Sequence, residues 1–251
     1  MKRIYKILKR TTLIVLLVLV MCDCSENKKL TQARVRIVQL MENTKAATIT
    51  LKTKGNTLKK LTVSTGDATQ YIVLPAGNYT IDVETNGDKI LSKKIGLGSG
   101  GIYTLCFTGI VQDSSEVNEQ TVFDKLHTLV EGAAAHLANG YYPKLVVLND
   151  FHTANKKVRK LRVVNCLAGT TPLDITLKIN QKNIPAVKDL KYSLDKTNKS
   201  LKSNVYEAEV TLGGHAVIKK DTLRLKNNEG LYTYFIFRKK NKIASILVYN
   251  K

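Results

Sequence analysis

A chain of 251 residues with 43% apolar residues, no tryptophan and four prolines is too long for one small domain and too hydrophobic for a disordered polymer. Its formal charge of +20 is unevenly placed: five of the 40 bases (Lys2, Arg3, Lys6, Lys9, Arg10) fall in the first ten positions, residues 22 to 150 hold 14 bases and 13 acids, and residues 151 to 251 hold 21 bases and seven acids. That surplus in the second half suits a polyanionic partner, and it equally suits a solvated, lysine-rich surface.

Met1 to Arg10 is basic, Thr11 to Met21 is apolar, and Cys22 follows at once, the three-part layout of an export signal. The apolar run is shorter than the roughly 20 residues a membrane-spanning helix needs, so cleavage is expected. Leu19-Val20-Met21-Cys22 resembles the bacterial lipobox, although Met21 departs from the usual small residue before the cysteine. The resemblance implies that Cys22 is lipidated and becomes the new N-terminus, and its two acyl chains suffice for stable anchoring. Asp23 in second position favours retention at the inner membrane facing the periplasm, with outer membrane or surface as alternatives. Residues 23 to 32 are polar and serve as a tether.

Val35 to Lys52 recurs without a gap as Leu161 to Lys178, 126 residues later: Arg36 aligns with Arg162, Val38 with Val164, and Ile49-Thr50-Leu51-Lys52 with Ile175-Thr176-Leu177-Lys178. The chain is therefore a doubled unit. Each copy opens with a β-branched run, breaks at Asn43 or Gly169 and resumes in period-two alternation, which predicts two neighbouring strands joined by a turn. Strands are expected over Leu61 to Ser64 and Gln70 to Leu74, with Gly66-Asp67 as the turn between them. In Leu74-Pro75-Ala76-Gly77-Asn78-Tyr79, Pro75 and Gly77 set a turn that places Tyr79, Ile81 and Val83 on one buried face. Asn86-Gly87 suits a type I′ hairpin onto Lys89 to Ile95. The glycines of Gly98 to Gly101 precede neither Lys-Ser nor a helix, so they read as a loop before the strand Ile102 to Phe107.

Between that strand and a last one at Lys144 to Leu148 lies an insertion over about 109 to 143. Phe123, Leu126, Val130, Ala133 and Leu137 follow at helical spacing up to Gly140, which predicts one amphipathic helix covering a sheet edge. His127 and His136 fall on opposite sides of it and cannot share a metal. The second copy keeps its strands and changes its loops. A lysine-rich stretch from Lys188 to Lys202 replaces the Pro-Ala-Gly turn, and strands follow at Val205 to Leu212, Ala216 to Leu225, Leu231 to Phe237 and Ile243 to Tyr249.

The predicted fold class is all-β: two tandem immunoglobulin-like β-sandwich domains with one helical insertion in the first. The divisions are a signal peptide over 1–21, a tether over 22–32, the first sandwich over 33–150, a basic linker over 151–160 and the second sandwich over 161–251. The linker has no Pro/Gly-rich spacer, so the domains are expected to be held close. Cys106 and Cys166 fall in strands of different domains. An oxidising compartment permits a bridge, but their spacing forms no framework, and two small buried hydrophobes is the expectation.

The chemistry of acyl transfer needs an activated nucleophile with a positioned histidine. Four histidines (His127, His136, His152, His215) occur without a Gly-x-Ser-x-Gly elbow, so no catalytic residue, metal or cofactor is assigned. Binding is the stronger expectation. Lys156, Lys157, Arg159 and Lys160, with Lys191, Lys196, Lys199 and Lys202, form a candidate path for the carboxylates of an acidic polysaccharide. Export removes nucleic acid from the partners considered.

The V-R-I-V-Q opening strand, L-P-A-G-N-Y turn and G-I-Y-T-L strand, with P-K-L-V-V-L-N-D-F running into the second copy, together resemble AlgF, the family of alginate O-acetylation accessory proteins. They look almost equally like tandem bacterial sandwich domains of unknown function. The AlgF resemblance covers residues 33 to 250 and implies a non-catalytic periplasmic subunit beside a membrane-bound O-acyltransferase and a serine-hydrolase-like acetyl-transfer protein. The alternative is a structural or adhesive surface lipoprotein whose basic face binds polyanions.

Overall fold

The structure is a computed structural model that describes residues 31–111, 141–151, 159–202, 205–227 and 230–250. The signal segment, Cys22 with most of the tether, the helical insertion over 112–140, and Lys156 and Lys157 lie outside the described residues. The first half contains β1 (Gln32–Gln39), β2 (Ala46–Thr53), β3 (Asn56–Ser64), β4 (Asp67–Ala68), β5 (Ile72–Pro75), β6 (Gly77–Thr85), β7 (Asp88–Leu97), β8 (Ile102–Thr108) and β9 (Lys144–Asn149). The second contains β10 (Arg159–Asn165), β11 (Leu173–Ile179), β12 (Lys182–Leu190), β13 (Asp195–Leu201), β14 (Val205–Leu212), β15 (His215–Arg224), β16 (Gly230–Lys239) and β17 (Lys242–Asn250).

Each half is a sandwich of two sheets, and the strand order repeats. One sheet runs β4-β1-β8-β9, with β5 also paired to β1, and its counterpart runs β13-β10-β16-β17. The other runs β3-β2-β6-β7, matched by β12-β11-β14-β15. In both halves the first strand pairs parallel to a late one, β1 with β8 and β10 with β16. The doubled sequence is a doubled topology.

Two expectations need correction. The opening strands β1 and β2 are not neighbours: β1 pairs with β4, β5 and β8, whereas β2 pairs with β3 and β6 in the facing sheet. Leu40, Met41 and Glu42 are buried where the chain crosses between sheets, so Asn43, at φ 60°, marks a corner and not a hairpin. For the same reason the strand before Gly66-Asp67 belongs to one sheet while β4 and β5 belong to the other. The lysine-rich stretch from Lys188 is also not simply a loop, because it contains the end of β12 and all of β13. As an edge strand, β13 has solvated outward positions and lacks the apolar alternation that betrays a central strand. The Asn86-Gly87 turn forms as expected, both residues having the positive φ (52° and 91°) that a type I′ hairpin requires.

Three apolar clusters account for the packing. Val35, Ile37, Ile49, Leu51, Tyr79, Ile81 and Leu105 fill the first sandwich, and Leu161, Val163, Ile175, Leu177, Tyr206 and Tyr234 fill the second. The third lies between them: Val38, Leu40, Cys106 and Leu148 of the first half meet Val164, Cys166, Phe235, Phe237 and Val248 of the second. The sheets carrying β1 and β10 therefore pack back to back. Both faces of these strands are therefore buried: Val35, Ile37, Leu161 and Val163 face a sandwich core, Val38, Leu40, Val164 and Cys166 face the opposite domain, and Arg36, Gln39, Arg162 and Asn165 are buried among them.

Candidate functional site

The seam between the sandwiches also buries a polar network, built with an approximate two-fold logic. Arg36 lies beside Thr104 in the register of β1 with β8, as Arg162 lies beside Thr233 in the register of β10 with β16. Each arginine crosses to the end of the last strand of the other sandwich. Arg36 donates from Nη1 to Asn250 Oδ1 (2.8 Å) and from Nη2 to the Tyr249 carbonyl (2.8 Å). Arg162 donates from Nη1 to the Asn149 carbonyl (2.9 Å) and from Nη2 to the Asp150 carboxylate. Asp150 and Asn250 are thus counterparts, one charged and one neutral, and they meet: Asn250 Nδ2 donates to Asp150 Oδ1 at 3.0 Å.

Asp150 gathers the network. Its Oδ2 also accepts from Tyr71 (2.8 Å) and Thr104 (2.5 Å), and Arg36 lies 4.1 Å above the Tyr71 ring. Burial lowers the proton affinity of Arg36, against which its neighbours Tyr71 and Asp150 act. Burial, and then the neighbouring Asp150 charge, push the Tyr71 phenol well above its ordinary value. Asp150 is 2% exposed and Arg162 4% exposed, and although Arg162 also lines a groove at the margin of the seam, the cluster's hydrogen bonds tie the two domains together.

Two grooves open at the margins of the seam. One, of about 470 Å³, is lined by Glu42, Asn43, Lys45 and Asn86 from the first sandwich and by Arg238, Lys240 and Asn241 from the second. Arg238 donates to Glu42 Oε2 at 2.9 Å, and burial raises the Glu42 carboxyl despite the opposing pull of that cation. The other, of about 340 Å³, brings Lys160 and Thr197 alongside Asn149 and Phe151, whose ring is 62% exposed. The first groove is lined by amides, cations and one acid, whereas the second sets Lys160, Arg162 and Asp195 among the apolar Val147, Leu148, Phe151 and Leu231.

The sequence-predicted basic path is only partly assembled. Arg159 is buried, because its guanidinium donates to the Asn227 and Lys202 carbonyls (2.8 and 3.0 Å) and so ties loops together instead of facing solvent. Lys160 lines the smaller groove. Lys191, Lys196 and Lys202 are exposed along and beside β13, on the side where β12 and β13 form the open edges of their sheets, and Lys199 belongs to β13. Lys182 and Lys188 of β12 are exposed as well. The acids of the second sandwich are largely engaged within the fold. Glu207 pairs with Lys220 and Glu209 with Lys178, while Asp221 accepts from Tyr234 and Ser245.

Among the described residues, the one histidine, His215, is exposed next to the turn joining β14 and β15, and no group of three or more His, Cys, Asp or Glu is placed to hold a metal. His127, His136 and His152 lie outside the described residues. Sequence reasoning missed the seam network. The alignment of Arg36 with Arg162 was its one visible sign.

The sequence model of a domain family of unknown function (DUF4397) matches residues 33–136, which is most of the first sandwich. No curated protein matches the chain. Among solved structures, the Bacillus anthracis TIE protein is similar at 12% identity and a TM-score of 0.24, covering 83% of this chain, which in turn spans only 51% of that protein. A protein of Bacteroides uniformis described as a candidate cell adhesion protein is similar at 13% identity and a TM-score of 0.27, covering 87% of this chain and 98% of its own. The tip fimbrial protein Mfa3 of Porphyromonas gingivalis is similar at 8% identity and a TM-score of 0.26, covering 88% of this chain and 99% of its own. At these scores the three carry no functional argument. What the comparisons add to the observed β-sandwich fold is that residues 33–136 match the model of a domain family of unknown function.

Proposed function

We propose that the chain is a non-catalytic lipoprotein of the bacterial envelope, tethered through Cys22, with a structural or adhesive role in which the second sandwich binds acidic polymer. The observation that carries this reading is the β12/β13 side of the second sandwich. Lys182, Lys188, Lys191, Lys196 and Lys202 are exposed there, while Glu207, Glu209 and Asp221 are occupied within the sheets. Asp189 and Asp195 are also exposed on this side, and Lys219, Arg224, Lys226 and Lys242 are exposed elsewhere on the second sandwich, so the β12/β13 side is one net-positive part of a broadly cationic surface. Lysines on edge strands also discourage edge-to-edge pairing, so the binding role has to be tested directly.

One exposed lysine contact contributes only about 0.2–1 kcal/mol, so several must act together and salt must weaken them. The test is retention of the full chain on an immobilised polyuronate. Replacing Lys191, Lys196, Lys199 and Lys202 together with Gln should abolish retention, and raising the salt should reduce that of the parent. Undiminished retention of the variant overturns the reading. The finer role, as an accessory to polysaccharide O-acetylation, is supported by the AlgF-like strand and turn motifs of the sequence alone. Its test is the O-acetyl content of the exopolysaccharide after gene deletion, and unchanged content removes it.

A further inference from the structure

Cys106 stands on β8 of the first sandwich, and Cys166 directly follows β10 of the second. They are 60 residues apart in the chain, yet their Sγ atoms lie 3.8 Å apart within the apolar cluster that joins the domains. Both are buried and both are thiols in the structure. The registers of Val38 with Cys106 and of Val164 with Phe235 make Phe235 the counterpart of Cys106, and the 126-residue offset makes Leu40 the counterpart of Cys166. On one flank of the seam, then, the duplicated positions hold a phenylalanine and a leucine, and on the other they hold two facing sulfurs. The duplication did not create this pair, and filling space would not require two cysteines opposite each other.

We propose that Cys106 and Cys166 are an oxidation site, closing to a disulfide that staples the two sandwiches across their shared core. A disulfide bond is about 2.0 Å long and needs Cα atoms a few ångströms apart, so the sulfurs have to approach by about 1.8 Å, a movement within reach of side-chain rotation with small backbone shifts. The two thiols lose two protons and two electrons to a small disulfide oxidant of the glutathione type, which departs as two thiols. Neither sulfur is exposed in the closed structure. The hydrogen bond with Cys166, reinforced by burial, also holds the Cys106 thiol well above its ordinary value, so Cys106 offers no ready thiolate in the assembled seam. Oxidation therefore belongs to the folding stage. One cysteine forms a mixed disulfide while the sandwiches are still apart, and the other resolves it as they dock.

The experiment uses the full chain with Cys22→Ser and Cys24→Ser, so that Cys106 and Cys166 are the only thiols. The protein is unfolded in reductant, refolded in oxidised glutathione, then denatured and treated with a maleimide. The expected result is no maleimide uptake and no glutathione adduct, with proteolysis yielding one linked peptide pair containing both cysteines. The refolded product should also melt several degrees above its reduced form. Adding Cys166→Ser to the same background should leave one thiol to label or to carry glutathione. Refolded protein that takes up two maleimides, or carries glutathione on each cysteine, overturns the proposal.

Discussion

Asp150 offers the sharpest test of the two-fold logic of the seam. It is the one carboxylate between two arginines and accepts from Arg162, Tyr71, Thr104 and Asn250 at once. Asp150→Asn keeps the shape and removes the charge. Removing one partner of a buried ion pair typically costs about 3–5 kcal/mol, because the remaining charge is left desolvated and uncompensated. At a urea dependence of about 3 kcal/mol per molar, that moves the unfolding midpoint down by about 1–1.7 M. The informative double variant exchanges the two side chains, Asp150→Asn with Asn250→Asp. Arg36 already reaches Asn250 and the Tyr249 carbonyl as Arg162 reaches Asp150 and the Asn149 carbonyl. Moving the carboxylate to position 250 should therefore hand the ion pair to Arg36 and recover at least half of the loss. The recovery should be incomplete, since Tyr71 and Thr104 donate to position 150 alone. Urea unfolding followed by circular dichroism measures the parent and both variants. A double variant no more stable than Asp150→Asn would refute the equivalence of the two arginines.

Phe235, fully buried in the cluster between the sandwiches, should be more than a local prop. Phe235→Ala is expected to cost about 3–5 kcal/mol and to separate a shared unfolding transition into two, read by differential scanning calorimetry. Unfolding that remains single and unshifted would show that the seam does not couple the domains. In the first sandwich, hydrogen bonds from Lys52, Lys89 and Ser92 hold the Asp82 carboxyl well below the usual carboxylate range. A depressed folded-state value stabilises the fold above the unfolded value near 3.8, and that stability is lost as pH falls through the folded one. Melting temperatures measured from pH 7 down to pH 2 should thus fall less steeply for Asp82→Asn than for the parent, and parallel curves would contradict this.

Much of the fold was legible from residues. The 126-residue repeat, the alternation of Tyr79, Ile81 and Val83, and the Asn86-Gly87 turn are local or periodic signals, and local geometry answers to them directly. Strand β13 was not legible, because a solvated edge strand carries lysines, threonine and asparagine where a central strand carries apolar residues. The basic path was legible only as composition: Lys160, Lys191, Lys196 and Lys202 are presented outward, but Arg159 turns inward to hold two carbonyls. The direction of a side chain depends on which carbonyls lie near it, and those of Asn227 and Lys202 are brought to Arg159 from distant parts of the chain.

By itself the sequence determined that this protein is a duplicated β-sandwich with a cationic second half, because hydrophobic period and turn chemistry act over a few residues and repeat with the chain. Only the tertiary structure decided that the two copies lie back to back, that Arg36 and Arg162 exchange partners across the seam, and that Cys106 faces Cys166. The Arg36 and cysteine contacts join positions 60 to more than 200 residues apart, those of Arg162 cross the domain boundary over 12 and 13, and all arise because the β1 and β10 sheets each have a second apolar face that has to be buried against something. The opposite sandwich supplies it.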